Sequence, residues 1–197
     1  MGIKVEELKC PGCGVRVSIN QRECEWCHKP IIISTFQSVK DMPLPEVNKY
    51  AGTYKKALEE EPENQMLNKS IAMCYLKLKL YDKAEPAFAR AIEDNFDDAD
   101  IYLYAAICLF KGKRPFMATR QVVEQAIEYL NAALMIEPKG IFYCLRSYIK
   151  YDYYEMKRLR TSPTFMEDWK QANAMGVSEL DKQQLFEILG VERPQGF

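Results

Sequence analysis

The chain has 197 residues, of which 48% are hydrophobic and 28% are charged, as in a folded soluble protein rather than a disordered one. Its 27 Lys and Arg residues nearly balance its 28 Asp and Glu residues, so no overall charge points to nucleic acid or a membrane surface. This length allows one medium domain, or a small domain attached to a larger one.

The first ten residues, MGIKVEELKC, lack the apolar core and the cleavage site of a secretory signal peptide. No segment approaches the roughly 18 consecutive apolar residues that a membrane span needs. We therefore expect a cytoplasmic protein without a membrane partner, in which thiols stay reduced and disulfides are rare.

Four of the seven cysteines and the only histidine lie in one short segment, KCPGCGVRVSINQRECEWCHKP. Its cysteines follow the pattern C-x2-C-x10-C-x2-C and are Cys10, Cys13, Cys24 and Cys27. Two cysteines separated by two residues can curl around one metal ion, and two such pairs supply the four thiolates of a structural zinc site. The spacing therefore predicts one structural zinc ion bound by these four cysteines.

Between the cysteine pairs, Val15, Val17 and Ile19 alternate with polar residues, as in a short half-buried strand. The segment resembles the short zinc-ribbon family over about residues 8–34, and we assign residues 1–36 to this ribbon. A closed shell of four thiolates leaves no coordination position for a substrate, so the zinc would not be catalytic. Residues 37–45 are polar, contain two prolines and are predicted to form a linker.

Three alternative roles for these cysteines and for His28 agree less well with the sequence. A thioredoxin-like redox pair needs one CxxC at the start of a helix in an α/β domain, and neither pair has that context. A secreted disulfide framework needs an export signal. His28 directly follows Cys27 and could replace a ligand, but four thiolates already complete the shell, so we expect a surface residue.

From about residue 46 the apolar periodicity becomes helical. In the 34-residue unit 65–98, the small side chains of Ala72 and Ala84 let two antiparallel helices approach, while Tyr75 and Phe88 fill the space between pairs. The same alternation recurs upstream in KYAGTYKKALEEEPEN, and downstream in ADIYLYAAICLFKGK and QVVEQAIEYLNAALMIEPKG. The two downstream helices are separated by an insertion of about eight residues.

This alternation resembles the tetratricopeptide repeat family over roughly residues 46–158. An unrelated helical bundle is the alternative, because two full units barely define a period. The predicted fold is mainly α: a TPR-like helix-turn-helix solenoid over residues 46–160 with a small N-terminal β zinc ribbon.

Residues 161–197 depart from the repeat pattern and are predicted to form two capping helices. The first would begin after Thr161 or Ser162 as N-cap, and the second after Ser178. The second helix carries an apolar stripe from Leu180 to Leu189. It either seals the exposed end of the stack or folds back onto its concave surface.

The resemblance also implies a partner-binding surface. In the family, the first helix of each repeat lines a concave groove that binds an extended peptide or a partner helix. The matching positions here are mainly apolar: Met66, Lys69, Met73, Leu103, Ile107, Phe110, Phe142, Leu145 and Ile149. We predict that they bind a hydrophobic partner segment, although core positions beneath the C-terminal helices would have the same period. Only Lys69 resembles the carboxylate clamp of chaperone-binding members, so chaperone tails are not expected.

We expect no enzymatic activity and no small-molecule substrate, because one histidine excludes most nucleophile arrangements and the usual catalytic motifs are missing. The predicted function is that of a protein-protein interaction adaptor or scaffold, whose ribbon provides a second contact module. The alternative is nucleic-acid binding through the ribbon. Its Arg16, Arg22 and Lys29 are offset by Glu23 and Glu25, which makes nucleic acid the less favoured partner.

Overall fold

The structure, a computed structural model, describes residues 7–93 and 97–197. The chain divides into two compact units, Met1–Asn95 and Phe96–Phe197. Helices dominate both units, and the N-terminal unit also carries a small antiparallel sheet. The predicted fold class, mainly α with an N-terminal β ribbon, is confirmed. Each helix in the described residues is too short or too polar to cross a membrane.

The first unit begins with the ribbon. Strand β1 (Glu7–Lys9) pairs antiparallel with β2 (Arg16–Ser18), and Leu8 lies opposite Val17 with both side chains buried. The helices of this unit are α1 (Gln37–Lys40), α2 (Leu44–Glu60), α3 (Gln65–Lys77) and α4 (Tyr81–Ile92). Segment 37–45, predicted as a linker, thus contains α1 and the start of α2. The predicted domain boundaries stay predictions.

Helices α3 and α4 form the helix pair that the 34-residue unit predicts. The side chain of Asn64 caps α3 by accepting a hydrogen bond from the N–H of Leu67 at 3.0 Å. Ala72, Ala84 and Phe88 are fully buried, so small side chains allow the close approach and one ring fills the gap. Helix α2 packs against α3 on the N-terminal side of this pair.

The ribbon is docked onto these helices by the segment that follows its second cysteine pair. The hydroxyl groups of Tyr50 and Tyr54 donate to the carbonyl oxygens of Pro30 and Ile31, at 2.8 and 2.7 Å. The hydroxyl of Ser70 on α3 donates to the carbonyl of Ile33 at 3.0 Å. Ile31 and Ile33 are also fully buried. Segment 30–33 is therefore part of the core of the first unit.

The second unit contains two helix pairs and a further helix. Its helices are α5 (Ala99–Leu109), α6 (Arg120–Ile136), α7 (Gly140–Lys150), α8 (Phe165–Ala174) and α9 (Glu179–Leu189). Helix α5 packs on α6, α7 packs on α8, and α9 lies against α7 and α5. A 3-10 turn (Pro115–Met117) lies between α5 and α6, and a π-helical turn (Tyr151–Glu155) continues α7.

The two C-terminal helices begin with capping boxes. The hydroxyl of Ser178 accepts from the N–H of Asp181 at 3.1 Å, and the carboxylate of Asp181 accepts from the N–H of Ser178 at 3.2 Å, as the sequence suggests. The predicted N-cap of α8 at Thr161 or Ser162 is wrong. The cap is Thr164, which exchanges the same two hydrogen bonds with Glu167.

Candidate metal centre and candidate protein-binding surface

The four ribbon cysteines meet at one point. The Sγ atoms of Cys10, Cys13, Cys24 and Cys27 all lie within 4.8 Å of one another. The Sγ atoms of Cys10 and Cys27 are 3.5 Å apart, and those of Cys13 and Cys24 are 3.7 Å apart. A tetrahedral ion with metal–sulfur bonds of about 2.3 Å needs sulfur atoms about 3.8 Å apart. The cluster therefore has the size and the donor set to hold one metal ion.

Both cysteine pairs have the same backbone turn. The N–H of Gly14 donates to the carbonyl of Cys10 at 2.9 Å, and the N–H of His28 donates to the carbonyl of Cys24 at 2.7 Å. Both donor residues have positive φ, 83° for Gly14 and 55° for His28. The backbone of His28 thus closes the second turn as Gly14 closes the first. The sequence signal was available, since each residue directly follows the second cysteine of its pair.

Gly12 lies where a larger residue would crowd the cluster. A Cβ atom at this position would lie 3.0 Å from the Sγ of Cys27 and 2.9 Å from the Cδ of Lys29. The ammonium of Lys29 forms an ion pair with Glu46 on α2 at 2.6 Å, and this contact raises the pKa of Lys29. Residues beside the cluster therefore fix both the first turn and the position of the ribbon on α2.

The thiols of the cluster differ in acidity. Burial raises the pKa of Cys24, but hydrogen bonds from the backbone of Trp26 and Cys27 and from neighbouring thiols bring it down to about 7. The pKa of Cys27 is instead raised to about 12, because burial and three neighbouring thiols outweigh its hydrogen bond from the backbone of Lys29. A divalent cation at the centre would stabilise all four thiolates together.

The residues predicted to line a partner-binding groove are mostly covered. Seven of the nine are buried within their own units: Met73, Leu103, Ile107, Phe110, Phe142, Leu145 and Ile149. Met66 is 43% exposed, and Lys69 is half-buried. These side chains contribute to packing, and partner binding through them stays a prediction.

In the second unit, the chain's own C-terminal segment covers the first helices. Helix α9 lies on α5 and α7, and the connection before it contacts the start of α7. A Cβ atom at Gly140 would lie 2.5 Å from Cγ2 of Val177 and 3.0 Å from Cβ of Met175. The structure therefore places α9 against α5 and α7, and the assignment of residues 161–197 as capping helices stays a prediction.

This packing leaves a cavity beside α9. Its volume is about 340 Å³, and it lies between α5, the start of α7, and α9 with its preceding connection. Leu103, Ile107 and Leu185 form its buried apolar floor, while Ile141 and Ile188 are half-buried at its wall. Only Leu103 and Ile107 belong to the predicted groove set. The apolar stripe of the C-terminal helix was the sequence signal for Ile188.

Comparison with known proteins supports the repeat assignment. Residues 51–114 match the family model described as tetratricopeptide repeat. The solved structure "MamA MSR-1 C2" has 18% identity and a TM-score of 0.52, with 76% of this chain and 74% of that chain covered. "MamA AMB-1 P212121" has 18% identity and a TM-score of 0.54, with coverage of 75% and 74%. The comparison with curated proteins gave no match.

The prediction of tetratricopeptide repeats is thus confirmed over the matched residues. At 18% identity, the similarity to the MamA structures concerns the fold alone. Repeats of this family generally mediate protein–protein interactions. The four clustered cysteines agree with the predicted ribbon.

Proposed function

We propose that this chain is a non-enzymatic adaptor that binds a segment of a partner protein. In this proposal the ribbon holds one structural zinc ion and supplies a second contact module. The adaptor would act in the cytoplasm, where thiolate ligands remain reduced. The repeat match over residues 51–114 supports the class of function, because these repeats generally bind proteins.

The observation that carries the proposal is the cavity beside α9. It opens onto the first helices of two helix pairs, α5 and α7, which the predicted repeat register assigns to the groove. Its walls are largely apolar, and at one side Lys139 pairs with Asp100 at 3.0 Å. An apolar side chain of a partner could fill the cavity while polar groups of the partner contact this ion pair.

Zinc is the ion that the cluster fits best. Four cysteine ligands with tetrahedral spacing select zinc among the common metals of a cell, although iron also binds such sets. The complete shell leaves the ion no open position, so its role would be to fold the ribbon. A segment of about thirty residues has little core of its own, which makes the metal important for its stability.

Ile188→Glu tests the cavity as the partner site. Ile188 is half-buried at the wall, so a carboxylate there would block an apolar partner while the fold is retained. Ile107 is fully buried and would confound the test, because Ile107→Glu places an unpaired charge in the core. The matched control is Met166→Glu, since Met166 is 67% exposed on α8.

The measurement is quantitative mass spectrometry of proteins captured from the native host by wild type and both variants. We expect Ile188→Glu to reduce a specific partner at least about tenfold and Met166→Glu to retain it. Circular dichroism must show the same helical content in all three proteins. Equal capture by Ile188→Glu and wild type would exclude the cavity as the partner site.

Nucleic-acid binding through the ribbon is the second candidate function. A cavity of about 700 Å³ between the ribbon and α2 is lined by Lys9, Arg16, Lys49 and Lys56. Trp26 on the second cysteine turn is 76% exposed. However, Glu7 and Glu60 line the same cavity, and four thiolates with one divalent ion would add a charge of about −2.

These opposing charges favour the adaptor over the second candidate. We expect the intact protein to bind single-stranded RNA or duplex DNA no more tightly than about micromolar at physiological salt. Fluorescence anisotropy against salt concentration measures this. Submicromolar, steeply salt-dependent binding that Arg16→Glu abolishes would instead support nucleic-acid binding.

A further inference from the structure

Two basic segments of the second unit lie together. Segment 111–120, KGKRPFMATR, contains four basic residues and no acidic residue. Segment 151–160, YDYYEMKRLR, contains three basic and two acidic residues. The whole chain has a formal net charge of −1, so this concentration of positive charge is local. The 3-10 turn of the first segment packs against the π-helical turn of the second.

A buried carboxylate anchors the first segment. Asp152 is fully buried, and its Oδ1 accepts a hydrogen bond from the Nε of Arg114 at 3.0 Å. Its Oδ2 accepts from the backbone N–H of Phe116 at 2.8 Å. Burying a carboxylate is unfavourable unless its oxygen atoms are paired, and here both are. The turn that carries Phe116 is therefore fixed by a residue 36 positions further along the chain.

A lysine joins the two segments at the surface. The Nζ of Lys157 lies 3.9 Å from the ring centroid of Tyr153 and 4.9 Å from that of Phe116. Both distances are within the range of a cation–π contact. Lys157 therefore links the ring of Phe116 to the π-helical turn that follows α7.

The joined segments present large apolar side chains to solvent. Exposed fractions are 43% for Phe116, 72% for Met117, 51% for Met156 and 47% for Leu159. In the same two segments, Lys113, Lys157, Arg158 and Arg160 form no ion pair with any residue that the structure describes. We call these eight residues the Phe116 surface. Exposed apolar groups on a fixed backbone beside unpaired cations are typical of an interaction surface.

We propose that the Phe116 surface binds an acidic amphipathic segment of a partner protein, independently of the cavity beside α9. Carboxylates of that segment pair with the four cations, which gives charge complementarity. Its apolar side chains cover Met117, Met156 and Leu159. Met117, Met156 and Leu159 offer no ring on which a nucleobase can stack, and the ring of Phe116 is already in contact with Lys157. The apolar part of the surface therefore favours a protein over a nucleic acid.

The test uses the intact protein and a fluorescent helical peptide of about 16 residues, with Glu on one face and Leu and Phe on the other. A matched peptide carries Gln in place of each Glu. Single-stranded RNA and phosphatidylserine vesicles are the competing probes. Binding is measured by anisotropy, and for vesicles by co-sedimentation, at an ionic strength of about 0.15 M.

Two variants alter the Phe116 surface: the triple variant Lys113→Glu/Arg158→Glu/Arg160→Glu, and Met117→Ser. The apolar control is Met135→Ser. Met135 is 88% exposed near the far end of α6, about 20 Å along the helix from the basic segment at a rise of 1.5 Å per residue. Lys170→Glu on α8 is the charge control, since Lys170 is exposed.

We expect the triple variant and the Gln peptide each to weaken binding at least about tenfold, and Met117→Ser to weaken it about threefold or more. Both controls should retain wild-type affinity. The proposal is overturned if the acidic peptide does not bind, or if the triple variant binds it as well as wild type does. It is also overturned if RNA or vesicles bind this surface more tightly than the peptide does.

Discussion

Asp168 shows how single charged residues hold the second unit together. Its carboxylate is almost fully buried between α7 and α8, where its Oδ2 accepts from the Nε of Arg146 at 3.0 Å and from the Nζ of Lys150 at 2.7 Å. Arg146 also donates to Asn131 at 2.6 Å. Burial lowers the pKa of Lys150 although Asp168 opposes this shift. One carboxylate thus compensates the buried Lys150 and the partly buried Arg146.

Replacing this carboxylate should be costly. Asp168→Ala leaves Arg146 and Lys150 without their shared counter-ion, and we expect the free energy of unfolding to fall by about 3–5 kcal/mol. Urea denaturation followed by circular dichroism measures the change. Glu187→Ala removes a carboxylate from an exposed position on α9 and should change stability by less than about 0.5 kcal/mol. A loss below about 1 kcal/mol for Asp168→Ala would show that the cluster does not stabilise the fold.

Metal content tests the role of the four ribbon cysteines. We expect about one equivalent of zinc per chain, and its loss in Cys24→Ser, whose hydroxyl is a poor zinc ligand. Zinc should also dissociate as the pH falls, because protons compete for the thiolates. Inductively coupled plasma mass spectrometry with thiol titration measures the metal. Less than about half an equivalent in protein with intact thiols would refute the zinc site.

Substitutions at His28 test whether this residue is a metal ligand or only a turn residue. Since its φ is 55°, replacement by glycine should leave zinc content unchanged and raise the free energy of unfolding by up to about 1 kcal/mol. His28→Val should instead destabilise the turn, because a β-branched side chain disfavours positive φ. A zinc-dependent thermal shift compares the variants. If His28→Gly weakens zinc binding tenfold or more, the imidazole is a ligand after all.

At the scale of elements, the ribbon and the helices of the first unit depend on each other. Segment 30–33 is held by hydroxyl groups from α2 and α3 and has two fully buried isoleucines. A ribbon that unfolds would uncover α2 and α3. We therefore expect chelation of the metal to destabilise these helices as well as the ribbon, although the sequence alone predicts a linker between the two.

The tyrosines on α2 make this docking dependent on pH. Burial raises the pKa of Tyr50 and raises that of Tyr54 well above its usual value. A raised folded-state pKa gives stability that is complete below the unfolded value of about 10 and is lost as the pH rises above it. We expect the first unit to lose stability above about pH 10, and Tyr54→Phe to weaken this dependence.

Tyr54→Phe also leaves the buried carbonyl of Ile31 without its hydrogen bond, so we expect a loss of about 1–3 kcal/mol at neutral pH. Denaturant unfolding of zinc-loaded wild type and variant at neutral and alkaline pH measures both effects. The control is Tyr143→Phe, whose side chain is half-buried on α7 in the other unit. Identical pH profiles for Tyr54→Phe and wild type would contradict the role of this hydroxyl.

At the scale of the whole molecule, features that depend on a local sequence pattern were predicted, whereas contacts between distant segments were not. The paired CxxC motifs predicted the cluster of four cysteines, because the spacing of metal ligands is a local property of the sequence. The alternation of small and large residues is also local, and it predicted the helix pair around Ala72 and Phe88. The capping box at Ser178 also follows from four neighbouring residues.

The contacts that sequence did not predict join distant segments. No local pattern indicates that Tyr50 and Tyr54 bind the backbone of segment 30–33, or that Asp152 anchors the turn before α6. Buried groove positions such as Ile107 have the same period as exposed ones, so periodicity could not decide whether the C-terminal segment covers them. Their burial depends on contacts with residues that are distant in the sequence, and no short stretch of sequence reveals those contacts.

The adaptor proposal requires a partner protein to bind at the cavity beside α9. A photo-crosslinking amino acid placed at position 188 in the living host tests it most directly, with the same residue at position 166 as control. We predict that position 188, at the wall of the cavity, yields a discrete adduct with one protein, while exposed position 166 on α8 does not. No adduct at position 188, or the same adducts at both positions, would contradict the claim.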